Sequence, residues 1–333
     1  NNYIYRGRKV AHTKGGALYT PPELILDDYD PEDRALQFVD IARMLEKNAD
    51  IMEALTQETI KRVYNTYKRH NKGKNKVDVF HVSYSGGKDS DVLLQLAKES
   101  GIRYRAIYKN TTIDPPGTIK HVREMVVEIR QPQRSFFEII KAKGYPSRWF
   151  RFCCRELKEY KILNVCAIGV RREESTKRKK IYTTFENCRV FSKTEKTRQY
   201  APIFDWTLQD VADYIKDRNV RRAAHYYNQE GKIDFKRRLG CMGCPLRSDQ
   251  GKGDFKAHPN LVKAWLRAGE KFLAQKPESK SNLIYGGDVY NMFFAHLFCK
   301  HVNEYQEIKS PDLWGESFDT KKFLQNFFNI KLL

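Results

Sequence analysis

No run of eighteen apolar residues occurs in the 333-residue chain, so no α-helix of it is expected to span a membrane. The first ten residues, NNYIYRGRKV, lack the apolar segment of a secretory signal, and this predicts a cytoplasmic protein. Acidic residues are outnumbered: 41 Asp and Glu face 61 Lys and Arg, for a formal net charge of +20. A chain so charged is unsuited to basic partners and is expected to attract polyanions, from small nucleotides to tRNA or DNA, although a solvated basic surface has the same composition. Cysteine is sparse and odd in number, with seven residues. Without an export signal a disulfide framework is not expected, and metal or catalytic use becomes the better reading.

The common glycine-rich phosphate patterns are missing too, yet one glycine pair stands out. Val79, Phe80, Val82 and Tyr84 have the residue types of a strand, and Val92, Leu93, Leu94 and Leu96 begin a helical pattern. Between them lies Ser85-Gly86-Gly87-Lys88-Asp89-Ser90. A strand that feeds a helix through two glycines presents unpaired backbone N–H groups and a positive dipole end, with no Cβ to keep a phosphate away. Lys88 adds a mobile cation, Ser85 and Ser90 add hydroxyls, and Asp89 is a candidate to hold Mg²⁺ or to orient the loop. The spacing fits neither a Walker A loop nor a G-x-G-x-x-G dinucleotide loop. An ordinary Gly-Gly turn is the plain alternative.

Residues 1–30, with Gly15, Gly16, Pro21 and Pro22 and little periodicity, read as an extended arm. From Pro31 to Tyr67 apolar residues recur at intervals of mostly three or four, a pattern for two or three helices. Lys68–Lys76 reads as a basic linker. Tyr104–Tyr108 predicts a second strand that ends in Asn110-Thr111-Thr112-Ile113-Asp114-Pro115-Pro116-Gly117-Thr118. Polar residues at the carboxyl end of a strand sit where open α/β sheets bind ligands, and Thr118 is expected to cap the next helix. Val126–Ile129 predicts a third strand, Phe136–Ile140 a helix and Val165–Val170 a fourth strand. That strand runs into Gly169-Val170-Arg171-Arg172-Glu173-Glu174-Ser175, where two arginines are able to clamp phosphate or sulfate oxygens and Glu174 or Ser175 to hold the loop. Thr207 and Asp210 have the spacing of a capping box, with Trp206 as a core anchor. The alternation predicts an α/β fold, a doubly wound parallel sheet with helical N- and C-terminal additions. The expected division is 1–75 for the arm and helical region, 76–216 for the nucleotide-binding domain and 217–333 for a helical C-terminal region. There the pairs Phe293-Phe294 and Phe327-Phe328 read as core.

Cys153-Cys154 and Cys241-Met242-Gly243-Cys244 are two pairs, each short enough for both thiolates to face one centre. Four thiolates complete the shell of a [4Fe–4S] cluster or of Zn²⁺. Adjacent cysteines are awkward for zinc, which prefers C-x₂₋₄-C knuckles, whereas adjacent ligands can reach different irons of a wider cubane. Four buried, inert thiols are the plain alternative. Cys166 reads as core and Cys188 has no reading. Cys299 should be inert unless His296 or His301 lowers its pKa.

The segments SYSGGKDS, NTTIDPP, CCRELK, IGVRREES, PIFDWTLQDVADYI and RLGCMGCP, in that order over roughly residues 77–247, resemble the phosphoadenosine phosphosulfate (PAPS) reductase family. S-x-S-G-G-K-D-S resembles the PP-loop of the ATP pyrophosphatase and sulfonucleotide reductase superfamily. The resemblance implies a PP-loop, adenine nucleotide alpha hydrolase-like fold that binds ATP, PAPS or adenylyl sulfate. The expected nucleotide-binding set is Ser83, Ser85, Gly86, Gly87, Lys88, Asp89, Ser90, Thr111, Asp114, Gly169, Arg171, Arg172 and Ser175, with Lys88, Asp89 and Arg171 catalytic and Asp89 or Asp114 serving Mg²⁺. Cys153, Cys154, Cys241 and Cys244 resemble the [4Fe–4S] ligands of plant-type and bacterial adenylyl-sulfate reductases, and a similar cluster is known in the DNA phosphorothioation branch. Two departures stand out: the final residues LQNFFNIKLL carry no Glu-Cys-Gly-x-His motif, and the second-strand loop reads Asn-Thr-Thr where the family usually has Asp-Thr-Gly.

Three functions follow as expectations. The first is ATP-dependent adenylylation with pyrophosphate release, linked to a sulfur donor. The second is sulfonucleotide reduction to sulfite, with Cys299 or the thiol of a thioredoxin-like partner as nucleophile. The third is a nucleic-acid-binding or regulatory protein that keeps the fold without turnover, motivated by the basic segments 68–76, 177–180, 221–222 and 236–238.

Overall fold

In the computed structural model, residues 2–5, 8–16, 22–27, 41–72, 79–160, 165–182, 185–190, 196–228, 230–310 and 317–332 are described. The helical start expected at 31–40 and the end of the basic linker at 73–76 lie outside them. The chain divides into two compact units, residues 1–55 and 56–333. In the first, β1 (Asn2–Tyr5), β2 (Arg8–Lys14) and β3 (Glu23–Leu26) form an antiparallel sheet in that order. The segment read as an extended arm therefore holds a small sheet, whose strands are too short for a period to register in the sequence. Helix α1 (Ile41–His70) is continuous where the periodicity suggests two or three helices, because no Gly or Pro interrupts it.

The second unit is built on a six-stranded sheet: β4 (Phe80–Tyr84), β5 (Tyr104–Lys109), β6 (Glu128–Arg130), β7 (Val165–Ile168), β8 (Glu186–Val190) and β9 (Lys196–Tyr200). Their order is β6-β5-β4-β7-β9-β8. Five strands run parallel, with Tyr84 opposite Tyr108 and Val82 opposite Ala167, and β8 closes the edge antiparallel to β9. The sheet is thus mixed rather than wholly parallel. The last two strands escape a periodicity reading because ENCRV and KTRQY are largely polar; β8 is an edge strand, which tolerates this, whereas β9 is an inner strand paired on both sides. The chain winds from β4 toward β5 on one side and from β7 toward β9 on the other. The reversal between β4 and β7 is where sheets of this kind open a crevice at their carboxyl edge.

Helix α2 (Lys88–Glu99) packs on β4, β5 and β7, and its Leu93, Leu94 and Ala97 join Val63, Val82, Tyr84 and Ala106 in one core. Helix α3 (Thr118–Glu124) begins one residue earlier than a Thr118 cap would put it. Gly117 is the N-cap, and the Thr118 hydroxyl instead donates to Pro115 O at 2.8 Å. A second core lies among α4 (Phe136–Lys143), α5 (Phe152–Leu157) and the C-terminal helices. After α6 (Thr176–Ile181) and α7 (Leu208–Asp217), these are α8 (Lys252–Ala257), α9 (Pro259–Gln275), α10 (Lys280–Tyr285), α11 (Val289–Phe298), α12 (Val302–Lys309) and α13 (Thr320–Phe328). Phe255 sets its edge against Trp265 and Phe293, each at 5.3 Å, and Phe294 and Phe328 are buried nearby, as expected of core aromatics. Each such ring removed from water contributes roughly 1.5–3 kcal/mol. Thr207 caps α7 in a full capping box with Asp210, and buried Trp206 donates from Nε1 to Thr59 Oγ1 at 3.2 Å.

Candidate active site

The turn after β4 is shaped by Gly86, whose φ of 75° is left-handed and disfavours a side chain. Gly87 is the N-cap of α2 and supplies no capping side chain. The loop is held by its own polar groups. Ser90 Oγ donates to Gly87 O at 2.7 Å and accepts from Ser85 N at 3.2 Å, while Lys88 N donates to Tyr226 Oη at 3.0 Å. The dipole end of α2 faces a cavity of about 1320 Å³, lined among others by Ser83, Ser85, Gly87, Lys88, Asp89, Ser90 and Gly169.

Behind the loop lies a buried polar trio not anticipated from sequence. Asp91, on α2, has no exposed surface, and burial pushes its carboxyl up to about 6, against the opposing pull of hydrogen bonds from His121 and Tyr84. His121 Nε2 lies 2.9 Å from both Asp91 Oδ1 and Tyr84 Oη, and the Tyr84 hydroxyl donates to the same carboxylate oxygen. The strand before the loop, the helix after it and α3 are thereby tied at one point. An Asp inside the apolar stripe of α2 was the available signal.

Lys88 is buried beside the loop, with Nζ 3.3 Å from Asp89 Oδ2 and 3.5 Å from Arg237 O. Burial pulls its pKa down and Asp89 opposes that. Arg171 is buried and donates from Nε to Asp89 Oδ1 at 2.5 Å and from Nη1 to Glu173 Oε2 at 2.8 Å. Its backbone N donates to Glu174 Oε2 at 3.2 Å, and Ser175 caps α6 through Arg178 N. Arg172 pairs with Asp205 and lies over the Phe204 ring at 4.7 Å. Asp114 accepts from the Tyr108 hydroxyl and from Thr111 N at 3.2 Å. Gly86, Thr111, Asp114, Arg171, Arg172 and Ser175 are not among the residues that line the cavity. Arg178 and Arg238 are, and both meet Glu174, with Arg238 Nη2 3.0 Å from Glu174 Oε1. The basic segments 177–180 and 236–238 were the signal for them.

The two cysteine pairs reach the same cavity from distant segments. Met242 N donates to Ile113 O at 2.9 Å, and Arg148 donates to Pro245 O and Arg247 O at 3.0 Å each, which holds the Cys241–Cys244 loop against the loop after β5 and the approach to α5. Cys153 hydrogen-bonds Cys154, so the pair sheds one proton readily and the second reluctantly: Cys154 is lowered to about 6 by that bond, then by Lys158 and Arg151, and Cys153 is pushed up. Burial pushes Cys241 up, and Lys158 hydrogen-bonds it. Among the described residues, no group of three or more His, Cys, Asp or Glu is arranged to hold a metal ion. Cys166 is buried on β7, and Cys188 is exposed on β8. Cys299 is buried at the end of α11, away from the cavity, and burial pushes its thiol up to about 11. Burial also holds His296 near 4, so it stays neutral and does nothing to activate that thiol.

The family profile described as the phosphoadenosine phosphosulfate reductase domain matches residues 80–247, about half of the chain. An uncharacterized protein of Methanocaldococcus jannaschii is 28% identical over 286 residues, 82% of this chain and 66% of its own length. A second uncharacterized protein of that organism is 27% identical over 239 residues, 67% of this chain and 46% of its own. The chain therefore spans less than two thirds of these relatives. Among solved structures, a phosphoadenylyl-sulfate reductase from Candida auris in complex with phosphate aligns with a TM-score of 0.36 at 16% identity, over 50% of this chain and 81% of that one. An NMN synthetase from Francisella tularensis aligns with a TM-score of 0.33 at 10% identity, over 68% and 94%. With half its length under that profile, the chain belongs to the phosphoadenosine phosphosulfate reductase domain family.

Proposed function

We propose that the protein holds the phosphates of ATP on Ser85–Ser90 and transfers the adenylyl group to an acceptor, releasing pyrophosphate as the activating step of a sulfur transfer. The observation that carries this reading is the dipole end of α2, opening through Gly87, Lys88 and Ser90 into the cavity at the switch between β4 and β7. The acceptor's nucleophile attacks the α-phosphorus. A new bond forms there, the bond from that phosphorus to the α,β-bridging oxygen breaks, and its electron pair leaves with pyrophosphate. Backbone N–H groups and the Lys88 ammonium meet the charge growing on the leaving group, and Arg178 and Arg238 add fixed cations. Arg171 is a positioning residue: it grips Asp89, which in turn holds Lys88.

Both oxygens of Asp89 already meet cations, and Asp114 is engaged with Tyr108 and Thr111. Asp89 offers Mg²⁺ no oxygen clear of a cation, and Asp114, held through Oδ2 alone, does not line the cavity, so no step here is assigned to a protein-held Mg²⁺. Cys153, Cys154, Cys241 and Cys244 fit a [4Fe–4S] cluster in donor type and number, with the Lys158 cation beside them. A single Zn²⁺ would take the same four thiols at about 2.3 Å round one point, which adjacent cysteines suit less well than they suit a wider cluster. When bound, the cluster would supply an iron centre for electron transfer or for binding sulfur.

Sulfonucleotide reduction is the second reading, favoured by the family's description, but burial of Cys299 takes that thiol away and leaves the reaction to the thiol of a thioredoxin-like partner. Anaerobically purified chain is incubated with γ-labelled ATP and candidate acceptors, and separately with PAPS and thioredoxin. Acceptor-dependent labelled pyrophosphate is expected. Sulfite from PAPS without pyrophosphate from ATP would replace the first reading with the second.

A further inference from the structure

Trp149 and Phe150 are 88% and 63% exposed, in contrast to the aromatic residues packed in the second core. They sit side by side just ahead of α5, and Phe152 meets the Phe150 ring at 5.4 Å and 65°, which props it outward. Adjacent exposed rings of this size mark a surface that something covers. Beside them is a cavity of about 510 Å³, lined also by Arg134, Lys143, Arg151, Arg155 and Arg189. Glu156 meets Arg134 and Lys143 at 2.6 Å each, and Glu159 meets Arg189 at 2.5 Å, so five cations face two carboxylates.

We propose that this face is a docking surface for single-stranded nucleic acid, with bases stacked on Trp149 and Phe150 and phosphodiesters on Arg151, Arg155 and Arg189. Unpaired bases have free π-faces to lay on rings while the strand's charge follows the guanidinium groups, whereas the bases of a duplex are already stacked within it. An acidic protein would satisfy the cations but has less use for two rings standing side by side in a basic field. The surface shares Arg151, Cys154, Glu159 and Arg189 with the larger cavity, so a bound strand reaches its mouth. Docking stands independently of the adenylylation reading, because it requires no turnover.

Fluorescein-labelled mixed-sequence 20-mers of RNA and of DNA, single-stranded and duplex, are titrated with the full chain by anisotropy at 50 to 200 mM salt. The single strands should bind tighter than the duplexes, and Trp149→Ala/Phe150→Ala should weaken them by roughly 5- to 150-fold per base lost from its stack. Trp149→Phe should retain most of the affinity. Three phosphate contacts predict a log–log salt slope of about −2, and Arg151→Gln/Arg155→Gln should reduce its magnitude by roughly 1.4. Both rings are at the surface, and urea unfolding of the variants checks that they fold as the parent does. Equal affinity for single strand and duplex overturns the proposal, as does unaltered binding by the double alanine variant. So does Trp149-dependent binding of an acidic ferredoxin by a chain that ignores the oligonucleotides, which would make this face a protein-docking site.

Discussion

Gly169 ends β7 against the first turn of α2, and adding one carbon there tests how the phosphate loop is held. A Cβ at this position would lie 2.7 Å from Asp89 O, 2.8 Å from Asp89 C and 3.0 Å from Ser90 N. All three are backbone atoms, so none can rotate aside as a side chain would. Comfortable contact lies near 3.5 Å, and Gly169→Ala must therefore part β7 from the start of α2 by roughly 0.5–0.8 Å. Overpacking of this kind costs about 1–3 kcal/mol, and a misplacement approaching 1 Å at groups that meet the substrate costs up to about 100-fold. Urea unfolding reads the first effect. ATP titration calorimetry and pyrophosphate release read the second. Gly269→Ala is the control, since its added carbon collides with the Tyr145 ring and with Met292 Cε at 2.9 Å, in the C-terminal core. It should lose comparable stability while the folded fraction binds ATP as the parent does. Wild-type ATP affinity and turnover in Gly169→Ala, or an equal loss in Gly269→Ala, would refute the reasoning.

Asp91 makes stability depend on pH. With its carboxyl raised to about 6 from 3.8, the folded state keeps a proton that the unfolded chain has lost, so stability falls as pH rises from about 4 to 6, by up to about 3 kcal/mol. Urea unfolding across that window should show the fall and Asp91→Asn should flatten it, whereas matching slopes would count against the assignment. Arg171→Met should cost about 3 kcal/mol by leaving Asp89 short of a buried partner, and Arg171→Lys should recover only part, because one ammonium cannot span Asp89 and Glu173 as the guanidinium does. Recovery to parental stability in the lysine variant would show that the fork geometry is unimportant. After anaerobic purification, serine at Cys153, Cys154, Cys241 or Cys244 should each lower iron and acid-labile sulfide, while Cys188→Ser and Cys299→Ser should not; iron content alike in all six rules out that ligand set. In thiol labelling near neutral pH, exposed Cys188 should react well before Cys299, whose burial keeps it protonated.

The residues alone determine what is decided within a few positions. The strand, glycine pair and helix of 79–96 are legible because strand period, backbone freedom and helix entry are local properties, and the Thr207 cap is legible for the same reason. Only the folded chain decides which anion a cation meets. Arg171 reads as a candidate phosphate clamp, yet its partner is Asp89, 82 residues away, and the residues that line the cavity include Arg178 and Arg238. The polar strands β8 and β9, the trio of Tyr84, Asp91 and His121, and the shared cavity of the two cysteine pairs were likewise settled by tertiary contacts. Each depends on hydrogen bonds between segments far apart in the chain, and residue type states only that a donor or acceptor exists, while the packing of the sheet and its helices selects its partner.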